Sequence, residues 1–414
     1  MAEAIAPRMI DLDPTQVPVA DIDVSQRELW SEDKKWEFFR RLRNEAPVHF
    51  CPDSEFGPYW SVTRFDDIME VEKNTSVFSS DPAIVIDDPA EDFTLPMFIA
   101  MDPPKHDDQR KTVQGVVAPA NLKLLESTIR TRVQNILDSL PVGEPFDWVD
   151  KVSIELTTQM LATLFDFPFE DRRKLTRWSD VATGSPETGI VETEEQRREE
   201  LFECLEYFQR LWHERAGQEG GNDLVSMLAH GEATKDMEPM EFLGNLVLLI
   251  VGGNDTTRNS ITGGVLALNE NPGEYAKLRN NPAVIPNMVS EIIRWVTPLA
   301  HMRRTVMSDY TLGGQDLKAG DKVVMWYVSG NRDDRAIDRP DEFIIDRQRA
   351  RQHLSFGFGV HRCMGNRLAE MQLRILWEEI QKRFHFVEVV NDPVRVPSNF
   401  VHGFTEMQVR LHPL

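Results

Sequence analysis

Residues 239–267, PMEFLGNLVLLIVGGNDTTRNSITGGVLA, read as one helix that is apolar nearly all round. At about 1.5 Å per residue it runs roughly 40 Å, enough to cross a whole domain. A helix without a polar face must be enclosed by others, which predicts a large, mainly helical domain with this segment at its centre. It opens after Asp236 and closes before Asn271-Pro272, an N-cap and first-turn pair for the next helix. Its middle, however, holds Gly252, Gly253, Asn254, Asp255, Thr256 and Thr257. A helical glycine costs about 1 kcal/mol against alanine, and a buried carboxylate needs a partner. Two readings offset that cost. Thr256 back-bonds one turn up the helix while Asp255 pairs with a base elsewhere, or the glycines admit a flat ligand.

A second feature lies near the C-terminus, where residues 356–365 read FGFGVHRCMG before helical spacing resumes at Leu368, Met371, Ile375 and Leu376. A helix N-terminus carries partial positive charge and free N–H groups, so a sulfur at Cys363 is biased towards thiolate. Gly357 and Gly359 allow positive φ, and Gly365 lets its N–H approach the sulfur. Cys51 and Cys204 are too distant in sequence for a zinc cluster and read as buried hydrophobes. A dinucleotide fingerprint fits poorly, since the third glycine is misplaced. A lone thiolate points to haem.

The pattern Phe356-x-x-Gly359-x-x-x-Cys363-x-Gly365 is similar to the haem-binding loop of the cytochrome P-450 family, the haem-thiolate monooxygenases. The resemblance implies that Cys363 is the axial ligand of a haem b iron, with Phe356, Gly357 and Gly365 shaping its loop. It implies that Gly252, Gly253, Asp255 and Thr256 lie over the haem, Thr256 bonding dioxygen and Asp255 relaying protons. His106 and Arg110 in MDPPKHDDQR, Arg304 in RRTVMSDY and His361 become partners for the two propionates. Arg303 competes with Arg304 for that register. Glu291 and Arg294 form the E-x-x-R pair that follows the long helix, whereas Glu37/Arg40, Glu194/Arg197 and Glu195/Arg198 read as solvated faces. The third charge that completes the pair in many relatives is an Arg or His in the segment that here reads Arg339-Pro340-Asp341-Glu342-Phe343; Glu342 stands in its place, and the third member is left unassigned.

The same resemblance implies insertion of one atom of O₂ into a C–H bond. No flavin or nicotinamide fingerprint is present, so a ferredoxin and its NAD(P)H-dependent reductase supply electrons. Between Arg347 and Arg383 eight Lys/Arg face three Glu, net +5 in a chain of −22, a candidate dock for an acidic ferredoxin. LPMFIAMDPPKH and HLSFGFGVHRCMGN are similar to the bacterial alkane-hydroxylating branch, which implies terminal oxidation of medium-chain alkanes or fatty acids. Terpenoid or steroid hydroxylation is the alternative, followed by a peroxide-driven peroxygenase or a haem sensor. Pocket segments are expected at 93–99, 246–251, 299–302 and 400–404.

No linker divides the 414 residues, so a single domain 1–414 is expected, mainly α with small β-sheets, with 1–30 as an extended N-terminal segment. Hairpins are expected around 48–63 and within 310–328. Strong negative charge argues against nucleic acid or an anionic membrane as partner. The N-terminus lacks a signal-peptide pattern, and the apolar run 246–251 is too short to span a bilayer. With three scattered cysteines, this predicts a cytoplasmic protein without a membrane anchor.

Overall fold

The 239–267 stretch forms the inside of a 32-residue helix, Pro239–Glu270, with Pro239 in its first turn and an extended Glu238 before it. Helices Glu155–Phe165, Arg173–Thr183 and Ile285–Val296 pack around it. Leu246, Val247, Leu249, Leu266 and Leu268 are buried on different sides of it, as an all-round apolar helix requires. Each such side chain contributes roughly 1.5–3 kcal/mol on burial, which offsets the intrinsic cost of the glycines. One of those glycines has a packing role: a Cβ at Gly264 would lie 2.9 Å from Ile292 Cδ1, so glycine lets the Ile285–Val296 helix come close. Computed structural modelling describes residues 8–414 of this chain.

The β-structure is small and peripheral. A five-stranded sheet runs in the order Val48–Cys51, Tyr59–Val62, Lys322–Met325, Met302–Val306, Phe78–Ser79. Its first two strands are the expected hairpin, with Val48 opposite Val62. Tyr310–Leu312 and Gln315–Leu317 form the second hairpin as a separate pair. A three-stranded sheet joins Phe146–Asp147, Gln408–Pro413 and Phe384–Val389.

The N-terminal segment departs from the extended form expected of it. Residues 1–7 lie outside the described range, and beyond them come two 3₁₀ turns, Met9–Asp11 and Val19–Asp21, and a short helix, Glu28–Ser31. Met9, Val17, Ile22, Leu29 and Trp30 are buried, so apolar side chains fold the segment onto the body. It is stitched to the C-terminal part by the Asn399 Nδ2 bond to the Ser25 carbonyl, 2.8 Å, and by the Arg395–Asp33 ion pair, 3.0 Å.

Candidate active site

The cysteine loop is built by its own backbone. Cys363 N–H donates to the Phe356 carbonyl at 2.8 Å, and Gly357 N–H donates to the Leu354 carbonyl at 2.7 Å. Gly357 and Gly359 take φ of 64° and 67°. A Cβ on Gly359 would stand 2.6 Å from the Glu72 carbonyl oxygen, so this turn admits only glycine. Helix Asn366–Gln381 follows, with Gly365 as its N-cap residue, and the Gly365 and Asn366 N–H groups bond the sulfur.

That sulfur is accessible from an internal cavity yet enclosed by protein on its other sides. Burial pushes the Cys363 thiol up, and the Gly365 N–H, Arg110 and Arg362 offset this only in part. The helix-terminus N–H groups thus act on the thiol in the expected direction, but burial opposes them. Desolvation of the anion outweighs the donors aimed at it.

The cavity measures about 1050 Å³. Cys363, Phe356, Gly357, Gly365, His361, Arg110 and Arg304 line it together with Gly252, Gly253 and Thr256 of the long helix. All of 93–99 reaches it, as do Val247, Leu248, Leu249, Val251, Leu299, Met302 and Phe400. His301 and Phe404, expected in the same walls, do not: the His301 ring packs on Trp326, and Phe404 is in the core. The two central glycines differ. A Cβ on Gly252 would meet nothing within 4 Å, whereas one on Gly253 would meet Leu161 at 2.6 Å.

Four basic groups gather beside the thiol. Arg110 donates to the Arg362 carbonyl at 2.5 Å. The Arg304 guanidinium pairs with Glu72 at 2.8 Å, and the Tyr327 hydroxyl donates to the same carboxylate. Arg303 turns away to Asp88 at 2.6 Å, which resolves the register in favour of Arg304. His106 and His361 lie with ring centroids 4.2 Å apart. His106 Nδ1 bonds Asp107 and His361 Nε2 bonds Ser80, leaving His106 Nε2 and His361 Nδ1 buried without partners. Burial, then Arg304, His106 and Arg110, pushes His361 down to about 2, so the imidazole is neutral. Burial likewise lowers His106, against the pull of Asp107.

The Asp255-Thr256 pair is split by the helix. Thr256 lines the cavity and its Oγ1 donates to the Gly252 carbonyl at 2.8 Å, the back-bond expected of a helical threonine. Asp255 is fully buried behind it, 2.8 Å from Arg258, which in turn meets Asp180 at 2.7 Å. One carboxylate oxygen, Oδ2, has no hydrogen-bond partner. Burial first, with Asp180 adding to it against Arg258, raises Asp255 to about 6. Arg258 and Asp180 were not singled out from sequence, although Asp255 and Arg258 stand i, i+3 like Glu291 and Arg294.

Residues 125–407 match the family described as Cytochrome P450. The chain belongs to the cytochrome P450 family. It is similar to a solved structure, cytochrome P450-153 from Novosphingobium aromaticivorans, at 49% identity over 94% of this chain and 99% of that one, TM-score 0.89. It is 34% identical to linalool 8-monooxygenase of Pseudomonas putida over 94% of this chain and 99% of that protein. A methyl-branched lipid omega-hydroxylase of Mycobacterium bovis is 30% identical over 98% of both chains. This P450 is a monooxygenase, and membership of the family implies a haem-iron cofactor. The site fits that group: a single cysteine for iron, open space at Gly252, and two arginines and two unpartnered imidazole nitrogens for carboxylates. Among the described residues no helix is long and apolar enough to cross a membrane.

The P450's E-x-x-R pair also finds its third charge. Glu291 and Arg294 are fully buried and 2.7 Å apart, and Arg347 Nε reaches the other Glu291 oxygen at 2.9 Å. Glu342 contributes only its backbone carbonyl, to both arginines. The same network reaches the cysteine loop, because Arg294 donates to the Asn331 carbonyl and Asn331 bonds Ser355 and the Leu354 N–H. Arg347 therefore leaves the basic surface segment. Arg351 is spent on Glu370, Arg374 on Glu126 and Glu378, and Lys382 and Arg383 on Glu379, so among the described residues Arg349, Arg362 and Arg367 remain as its unpaired cations. Arg197 and Arg198, read as solvated, line the cavity instead.

Proposed function

We propose that this P450 hydroxylates the terminal methyl group of medium-chain alkanes or fatty acids, using haem b and electrons from a ferredoxin and its NAD(P)H-dependent reductase. The observation that carries the reading is the shared cavity, in which apolar segments 93–99 and 247–251 lead to Thr256 and Cys363. Similarity to a lipid omega-hydroxylase supports the terminal position. The three free cysteines fit a cytoplasmic setting.

Cys363 would hold the iron, and Arg110, Arg304, His106 and His361 the propionates. When bound, haem supplies the oxygen activation and C–H oxidation. The protein's part is to orient the chain, exclude water and deliver protons. Thr256 Oγ1, freed from the Gly252 carbonyl, can donate into the cavity. Asp255 is the next proton store, and Asp180, half-exposed and linked through Arg258, leads from it towards solvent. Arg349, Arg362 and Arg367 supply a cationic dock for an acidic ferredoxin, narrower than the net +5 of the segment suggests.

Because Asp255 titrates near 6, its protonated fraction falls about tenfold per pH unit above that. Proton-limited turnover should therefore decline as pH rises past about 6, and Asp255→Asn should lose that limb along with roughly 10²-fold in rate. A pH–rate profile of both proteins checks this; an unchanged limb in the variant assigns it elsewhere.

The reading itself is tested by titration of the ferric holoenzyme, followed by turnover with ferredoxin, reductase and NADH. Dodecane should shift the Soret band and give 1-dodecanol, and camphor should do neither. The reverse pattern favours a terpenoid hydroxylase, the second reading, which the linalool 8-monooxygenase relative supports. Turnover with peroxide alone favours a peroxygenase.

A further inference from the structure

Asp81, Asp87 and Pro89 of segment 81–90, and Glu194 at the start of helix Glu194–Ala216, line the cavity and are exposed, which marks a mouth there. Besides Arg110 and Arg304, four Lys/Arg line the cavity, and each is already committed. Arg27 meets Glu55 at 3.3 Å and Lys105 meets Glu241 at 2.8 Å. Arg197 caps the Val181 and Ala182 carbonyls at 3.1 and 3.0 Å and faces Glu194 at 3.5 Å. Arg198 grips Asp92 through two bonds of 2.7 and 2.8 Å and lies over the Phe93 ring.

The acids are not all balanced in return. Asp88 is held by Arg303 and Lys322 at 2.6 and 3.0 Å. Asp81 and Asp87 also line the cavity, and among the described residues neither carboxylate takes a hydrogen bond or close ion pair. Burial, then Asp88, pushes the Asp87 carboxyl up against the pull of Arg27 and Lys322, as expected of an acid with no partner of its own.

We infer that this mouth selects against an anionic chain end, with Asp87 and Asp81 as specificity-determining residues. The substrate is therefore a chain whose far end is neutral rather than a free fatty acid. The inference rests on the terminal-hydroxylase reading: with one methyl held at the Thr256 end, the other end of an extended chain points to the mouth. A carboxylate there would lose its hydration and meet two unpaired acids and no uncommitted cation. Like charges a few ångströms apart near a protein surface give a penalty on the order of tenfold in affinity.

The test is spectral titration of the holoenzyme with decanoate and methyl decanoate, which share a chain and differ in charge. The ester is expected to bind about tenfold more tightly. Lower hydration of the ester alone would give some preference, so the deciding quantity is how the ratio responds. Asp87→Asn, and independently Asp81→Asn, should narrow it severalfold, and raising salt should narrow it in the wild type through screening. Equal affinity for the two ligands, or a ratio that neither variant nor salt changes, overturns the inference while leaving the chain-hydroxylase reading intact. If neither ligand shifts the spectrum and a terpenoid alcohol does, the chain-hydroxylase reading fails and the inference falls with it.

Discussion

Cys363→Ala will abolish the long-wavelength absorption band of the reduced, CO-bound protein and, with it, NADH-driven hydroxylation. On the proposed reading the band would report the Cys363 thiolate holding the iron, and no other cysteine can replace it. Cys51 and Cys204 are buried away from the cavity, and neither lines it. The substitution removes little packing, since the side chain faces the cavity, and the loop is held by Cys363 N–H on the Phe356 carbonyl whatever the side chain. Haem retention should therefore fall less than activity, because Arg110, Arg304 and His361 still line the cavity and His106 stands against His361. The measurement is the CO-difference spectrum alongside haem content. A normal band in a protein with full haem content would remove Cys363 from the iron.

The second large effect is on stability. Glu291→Ala leaves the Arg294 and Arg347 guanidinium groups buried with no counter-charge, and removing one partner of a buried ion pair costs about 3–5 kcal/mol. The Ile344 N–H, which donates to Glu291 at 2.9 Å, loses its acceptor as well. Urea unfolding of the apo and haem-loaded forms should show the loss in both, because the triad acts on the fold and reaches the cysteine loop only through Asn331 and Ser355. Glu291→Gln should recover part of it by keeping an acceptor for Ile344. A loss below about 1 kcal/mol would mean that the two arginines find other partners.

The sequence shows these features unevenly, and range of interaction explains why. The long helix, the hairpins and the cysteine loop are written in local spacing: an apolar surface all round, or glycines at φ near 65°. Arg347 was missed because its partnership depends on how 339–347 folds back on Glu291, which no period encodes. Glu72 was missed for the same reason, lying 232 residues from Arg304. The basic segment was overestimated because its counter-charges, Glu126 and Asp138, sit on another helix, Pro119–Asp138. The donors to Cys363 were legible as a helix terminus, but not the burial that opposes them, which only the tertiary structure sets. Asp255 and Thr256 were legible as a pair, but not their separation to two sides of one helix.

The bond between Asn399 and the Ser25 carbonyl spans 374 positions, and the next residue, Phe400, lines the cavity. Local bonds shape that stretch of wall, with the Phe400 and Val401 N–H groups on Ser398 Oγ, but its join to the N-terminal segment closes a loop of most of the chain, so loop-closure entropy opposes the join until the two distant regions are both in place. The long helix and its neighbours can assemble beforehand from nearer contacts. A chain still emerging from the ribosome would thus have the Pro239–Glu270 helix built while the cavity beside it stood open on one side.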